Sequence, residues 1–260
     1  MYELIQKRDY YCPSRYIRGR ITEYDIKACN INMLLYYNQI SIDTYNFLNN
    51  IPKYDREVYI GNMIKENPDI YKVIANGIKE FKTKLAEANN ISDNEIIRIA
   101  NDAVFINRSI DLQITQFDNI LFANKGTYSS ALKILDKHTI VFVGNDSYGN
   151  NIVEVKGLGD NAVLHQNYML SIIVSIINTM EKSSVKDALA LLNDIYKDYI
   201  NLRLDKGFYR EFNSSSLYKY KDLDYGAYYI DNINDIDISY NLSILRELWS
   251  ILIEQGGNRI

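Results

Sequence analysis

The chain has 260 residues, 47% of them hydrophobic, with 12 Gly and 3 Pro, so it can build one large domain or two small ones and is not a disordered linker. A net charge of −4 argues against a strongly basic, stand-alone nucleic-acid clamp, because phosphate neutralisation needs an excess of Lys and Arg. Cys12 and Cys29 are the only cysteines; with no CxxC spacing and no paired histidine they argue against zinc and disulfides and for a reduced, intracellular (cytoplasmic) setting.

No membrane partner is expected. The N-terminus has no apolar stretch of signal-peptide type, and the longest apolar run, residues 168–177, is too short to span a bilayer. The first twenty residues are rich in Lys and Arg, whereas 221–237 carry five aspartates against Lys221 alone.

Residues 16–26 read as a strand. Residues 27–38 follow with helical spacing through Ala28, Ile31, Leu34 and Leu35. Ser41 is a cap for a helix over 42–48, and Pro52 opens a third helix. Asn67-Pro68 interrupts the pattern. A long amphipathic helix over 70–88 then places Ile70, Ile74, Gly77, Ile78, Phe81 and Leu85 on one face, predicted to pack on the back of a sheet. Asn89-Asn90 stops it, and 95–108 reads as a hairpin turning at Asn101-Asp102. Strands follow at 120–123, 128–135, 139–143 and 152–156, with a loop at 144–151. Helices are expected at 164–180, 184–200 and 241–254, with a Tyr- and Asp-rich stretch at 205–240 left unassigned. The fold class is α+β: an antiparallel sheet packed by helices, then a C-terminal helical region, divided near residue 160.

Two aspartates stand out. Asp25 ends the first strand, and Asp102 sits at the hairpin tip. A strand end beside a hairpin tip can hold two carboxylates together, and phosphoryl transfer uses paired carboxylates to hold two divalent cations about 3.5–4 Å apart. The plainer alternative makes Asp25 a helix cap and Asp102 a turn residue. Glu23 shares the strand face of Asp25, as a supporting group or a surface charge. His138 and His165 are isolated, and no Gly-rich phosphate loop, Ser-His-Asp order or nucleophilic Cys stands out.

The order of these fragments resembles the palm and thumb of family B DNA polymerases. Asp25-Ile26-Lys27-Ala28-Cys29-Asn30-Ile31-Asn32 stands where that family has Asp-x-x-Ser-Leu-Tyr-Pro-Ser, and Tyr37-Asn38-Gln39-Ile40-Ser41 resembles its Tyr-Asn-Ile-Ser. Ala100-Asn101-Asp102-Ala103 stands at its Asp-Thr-Asp-Ser. Tyr128-Ser129-Ser130-Ala131-Leu132 and Val155-Lys156-Gly157-Leu158 are similar to its Lys-x-Tyr strand and its Lys-Gly-Leu entry to the thumb. The likeness covers residues 16–165. It departs at the fingers, which are missing along with the exonuclease; at Asn30, in the steric-gate tyrosine position; and at Ala100, in place of the first aspartate of the third motif.

The resemblance implies a palm-like domain over 1–160 and a thumb-like domain over 161–260. It implies a nucleotidyltransferase with Asp25 and Asp102 as catalytic ligands of Mg²⁺ or Mn²⁺, of viral or mobile-element type, acting in a host cell if viral. Lys53, Arg56, Lys65 and Asn30 would meet a nucleoside triphosphate; Lys125, Tyr128 and Lys156 would meet nucleic acid. Tyr218-Lys219-Tyr220-Lys221 offers rings for base stacking. Further polymerase subunits are expected partners. The alternative is a catalytically silent palm-derived module that binds nucleic acid or protein in a replication or transcription assembly.

Overall fold

The structure is a computed structural model that describes residues 2–133, 140–145, 151–156, 163–201, 203–204 and 235–257. Among the described residues the fold is α+β, with seven α-helices and eight strands. The chain divides into two compact units. Unit 1 is Met1–Pro13 with Gly19–Ser129; unit 2 is Ser14–Arg18 with Ser130–Ile260. The longer segments of the two units meet between Ser129 and Ser130.

In unit 1, strands β1 (Asp9–Tyr11), β2 (Tyr16–Ile26), β3 (Ile96–Ala100) and β4 (Ala103–Asn107) pair antiparallel in the order β1-β3-β4-β2. The short β5 (Gln116–Phe117) pairs with β6 (Ile120–Lys133), which neighbours β2. Alternate residues of a strand point to opposite faces, so Tyr24, Ile26, Ile99, Val104 and Ile106 turn together into one apolar core. Four helices close that core: α1 (Cys29–Tyr36), α2 (Ile42–Asn50), α3 (Lys53–Glu66) and α4 (Asp69–Asn89).

The α4 stripe behaves as the spacing predicts. Ile74, Ile78, Phe81 and Leu85 are buried in the core shared with the sheet, and Phe81 meets Tyr36 edge-on at 4.9 Å. Burying such a side chain contributes about 1.5–3 kcal/mol. Gly77 lets α1 approach α4: a Cβ there would lie 2.6 Å from the Tyr37 ring and 2.8 Å from Met33 Sδ. The helix ends at Asn90 in the left-handed region (φ 50°), a conformation Asn tolerates better than most residues. Arg108 then ties this end to the hairpin, donating to the carbonyls of Asn89 and Asn90 and to Glu95. Glu95 also completes a capping box with Ser92.

Local chemistry explains the differences from expectation. The first helix starts at Cys29, later than predicted, because Ala28 adopts φ 47°, ψ 46° and makes Lys27–Ala28 a turn. Residues 120–133 form one strand where two were expected, running through the polar Lys125-Gly126 step. The strands β1 and β5, three and two residues long, were not anticipated.

In unit 2, the end of β6 pairs with β7 (Ile140–Asn145), and β7 pairs with β8 (Asn151–Lys156), all antiparallel. Helices α5 (Val163–Lys182), α6 (Val185–Ile200) and α7 (Asp235–Gly257) follow. Leu132, Val141 and Val143 share a core with Ile173, Ile177, Leu192, Tyr199 and Leu248. Ser184 caps α6 by accepting from the Asp187 N–H. Arg15 donates to Ser250 and Glu254 of α7, and Tyr16 to Glu181 of α5.

Candidate functional site

Two elements bring Asp25 and Asp102 together. β2 runs antiparallel to β4 with Asp25 opposite Ala103, and Ala100 opposite Ala103 closes the β3–β4 turn. Asn101 takes the left-handed conformation (φ 48°) that this tight turn requires. The Ile26 N–H donates to the Asp102 carbonyl at 3.3 Å, which fixes the hairpin tip beside the end of β2. Because Tyr24 and Ile26 enter the helix-backed core, Asp25 and Glu23 belong to the opposite face of β2.

The electrostatics are those of a crowded acidic pair. Asp102 has its pKa raised, first by burial and then by the charge of Asp25. Burial, together with the nearby carboxylates of Asp102 and Asp25, raises the pKa of the Cys29 thiol far above the ordinary thiol value. Cys29 is therefore a neutral thiol, not a thiolate nucleophile. Lys125, on β6, reaches Asp25 with Nζ 3.6 Å from Oδ2, and Lys53 at the start of α3 lends Asp102 a smaller favourable charge.

The remaining candidates are distributed as follows. Asn30 donates to Glu57 of α3 at 2.7 Å, and Arg56 lies 3.9 Å from Glu57. Lys65 occupies the last turn of α3, roughly 18 Å along the helix axis from Lys53 at 1.5 Å per residue. The three cations of α3 are thus not gathered at one point. Tyr128 is buried at 3% exposure, with its hydroxyl close over Gly126, so its ring is a packed residue rather than an open stacking platform. Lys156 belongs to β8 in unit 2 and forms an ion pair with Glu154. Glu23 is buried, not a surface charge. Gly157-Leu158, His138 and Tyr218-Lys219-Tyr220-Lys221 lie outside the described residues.

Sequence reasoning missed Lys82. Its side chain is fully buried, and Nζ donates to the carbonyls of Lys7 (2.7 Å) and Asn101 (3.0 Å), directly beneath the turn. Burial lowers its pKa to about 8, against the favourable charges of Asp102 and Asp9. A signal existed: Lys82 falls four residues after Ile78 and three before Leu85, on the apolar stripe of α4, where a lysine must be buried or bent out.

Among the described residues no group of three or more His, Cys, Asp or Glu side chains is placed to hold a metal ion alone. Two carboxylates do suit Mg²⁺ or Mn²⁺ of the kind that completes its shell with water and substrate phosphate. The raised pKa of Asp102 marks a place where added positive charge is favourable. No helix among the described residues is long and apolar enough to cross a membrane.

A comparison with curated proteins finds no match. A family model described as bacteriophage PBS1 gene 130 protein matches residues 1–254, and the chain belongs to that phage protein family.

Proposed function

We propose that unit 1 is a polymerase-like palm and that the chain acts as a nucleotidyltransferase, alone or as one piece of a split polymerase. The observation that carries this reading is the juxtaposition of Asp25 and Asp102 at the junction of β2 and the β3–β4 turn. The bound divalent cations would supply Lewis-acid activation of the attacking and leaving oxygens. Asp25 and Asp102 would hold them, each as a carboxylate. Cys29, a neutral thiol near Asp102, adds no charge to the site. Lys53, coupled electrostatically to Asp102, is the α3 cation best placed to meet a triphosphate. Lys125 must leave Asp25 for the site to fill, and its exposed side chain is free to turn toward a nucleic-acid phosphate instead.

The second reading is a catalytically silent module that binds nucleic acid or protein. Its supporting observation is the same Lys125–Asp25 ion pair, a resident cation in place of a metal.

Two measurements separate them. Mn²⁺ binding, followed by electron paramagnetic resonance with a nucleoside triphosphate present, should be lost in Asp25→Asn and Asp102→Asn while the fold persists. Nucleotide incorporation on primed and unprimed templates, with both sugar types and Mg²⁺ or Mn²⁺, should be lost in the same variants. A wild type that binds no Mn²⁺ and incorporates nothing, alone or with its natural partner chains, would retire the catalytic reading.

A further inference from the structure

Beneath the Asn101–Asp102 turn, unit 1 contains a cavity of about 420 Å³, a volume toward the lower end of small-molecule sites. One wall is apolar, made by Ile64, Ile74, Ala75 and Ile78, with the Tyr71 ring beside it. The polar lining is cationic or neutral: Arg8, Lys79 and Lys82 with Asn30 and Asn101. Among the described residues no carboxylate lines it.

Asp102 and Asp9 lie close enough to favour the charge of Lys82, but neither is among the described residues that line the cavity. Among the described residues none of the three cations forms an ion pair. Lys82 spends two of its three N–H donors on backbone carbonyls, which carry no net charge. Arg8 donates one guanidinium N–H to the Tyr71 hydroxyl at 3.1 Å, leaving further donors of its fork. Lys79 and Lys82 are three residues apart on α4 and so share a side of the helix. An anion entering here meets three cations, of which Lys82 and Arg8 hydrogen-bond only neutral groups among the described residues.

We propose that this cavity binds a small organic phosphate, with the phosphate held by Lys82, Lys79 and Arg8 and a flat or apolar body laid against Tyr71, Ile74 and Ile78. A phosphate monoester offers the three cations three terminal oxygens and nearly two negative charges, against two oxygens and one charge for a carboxylate. The apolar wall requires a body beyond the phosphate itself, since burying apolar surface is what makes that wall contribute. The cavity would bind such a ligand whether or not Asp25 and Asp102 hold cations.

Isothermal titration of the full chain with phenyl phosphate, inorganic phosphate and phenol tests this. Phenyl phosphate should bind one site with a Kd below about 1 mM. Inorganic phosphate should bind more weakly, and phenol not measurably. Combining Arg8→Ala with Lys79→Ala, both at exposed positions, should weaken phenyl phosphate at least tenfold. Tyr71→Ala should shrink its advantage over inorganic phosphate. The proposal fails if phenyl phosphate gives no binding, if phenol binds as well, or if the double variant binds like wild type. It also fails if Lys72→Ala, on the same helix outside the cavity lining, causes an equal loss, since that would reduce the effect to the general charge of α4.

Discussion

The two residues of one turn serve opposite chemistry. Asp102 belongs to an acidic pair with Asp25, whereas the neighbouring Asn101 lines a cavity whose charged groups, among the described residues, are all positive. Lys82 joins the two, because its ammonium holds the Asn101 carbonyl while the charge of Asp102 helps keep it protonated. Each side therefore stabilises the charge of the other across a single backbone turn. A change on either side should be felt on both, and that coupling can be tested.

The largest expected effect comes from the support common to both sides. Phe81 has no exposed surface and precedes Lys82 on α4. Phe81→Ala should cost about 3–5 kcal/mol, read by urea denaturation. If the acidic cluster and the cavity are one cooperative piece, phenyl phosphate binding should fall with stability in this variant. A near-neutral result would mean that the α4 face is not the foundation of the sheet.

Much of this platform was legible in the sequence. The α4 stripe repeats at helical spacing for five turns, and Asn101-Asp102 between two apolar runs is a strong hairpin signal, so both elements lie where expected. Asp25 and Asp102 could be paired because strand end and turn tip are fixed by those elements. What stayed hidden depends on tertiary neighbours. The strand β1 is three residues long and exists because Asp9, Tyr10 and Tyr11 find Ala100, Ile99 and Arg98 opposite them. Lys125 reads as a nucleic-acid contact, and its ion pair with Asp25 emerges only when β6 is seen beside β2. Tyr128 resembles a nucleic-acid contact in its motif, yet its alternation along β6 buries it. Lys53, Arg56 and Lys65 look like one group in a short span, but the helix that carries them spreads them along its axis.

The middle-sized effect tests the joint itself. Lys82→Met keeps the aliphatic stem and removes the donor to Lys7 and Asn101, so it should destabilise by about 1.5–3 kcal/mol at neutral pH. Its pH dependence has a definite sign. Folding lowers the Lys82 pKa from 10.5 to about 8, so between those values the unfolded chain binds more protons than the folded one. Wild-type stability then gains from this group as pH rises from about 8 toward 10.5. The margin of wild type over Lys82→Met should widen across that window. A margin constant from pH 7 to 10 would show that Lys82 is not held in a desolvating site.

The smallest effect distinguishes the two carboxylates when no divalent cation is supplied. Asp102 has its pKa raised by burial and by Asp25, so its charged form is disfavoured in the folded chain and stability from this group is lost as pH rises through the carboxylate range. Asp102→Asn removes that charge and keeps the shape of the side chain. In chelator it should stabilise the protein by up to about 1 kcal/mol at pH 7, the scale of a partly exposed charge pair. Asp25→Asn relieves the same repulsion but gives up the Lys125 ion pair, so it should lie closer to neutral. Adding Mn²⁺ with a nucleoside triphosphate should reverse the order: wild type would gain stability by binding, and both variants would not. Chemical denaturation of the three proteins with and without these additions reads all of it. If Asp102→Asn destabilises in chelator, the two carboxylates are not in repulsive contact, and the acidic half of the comparison falls.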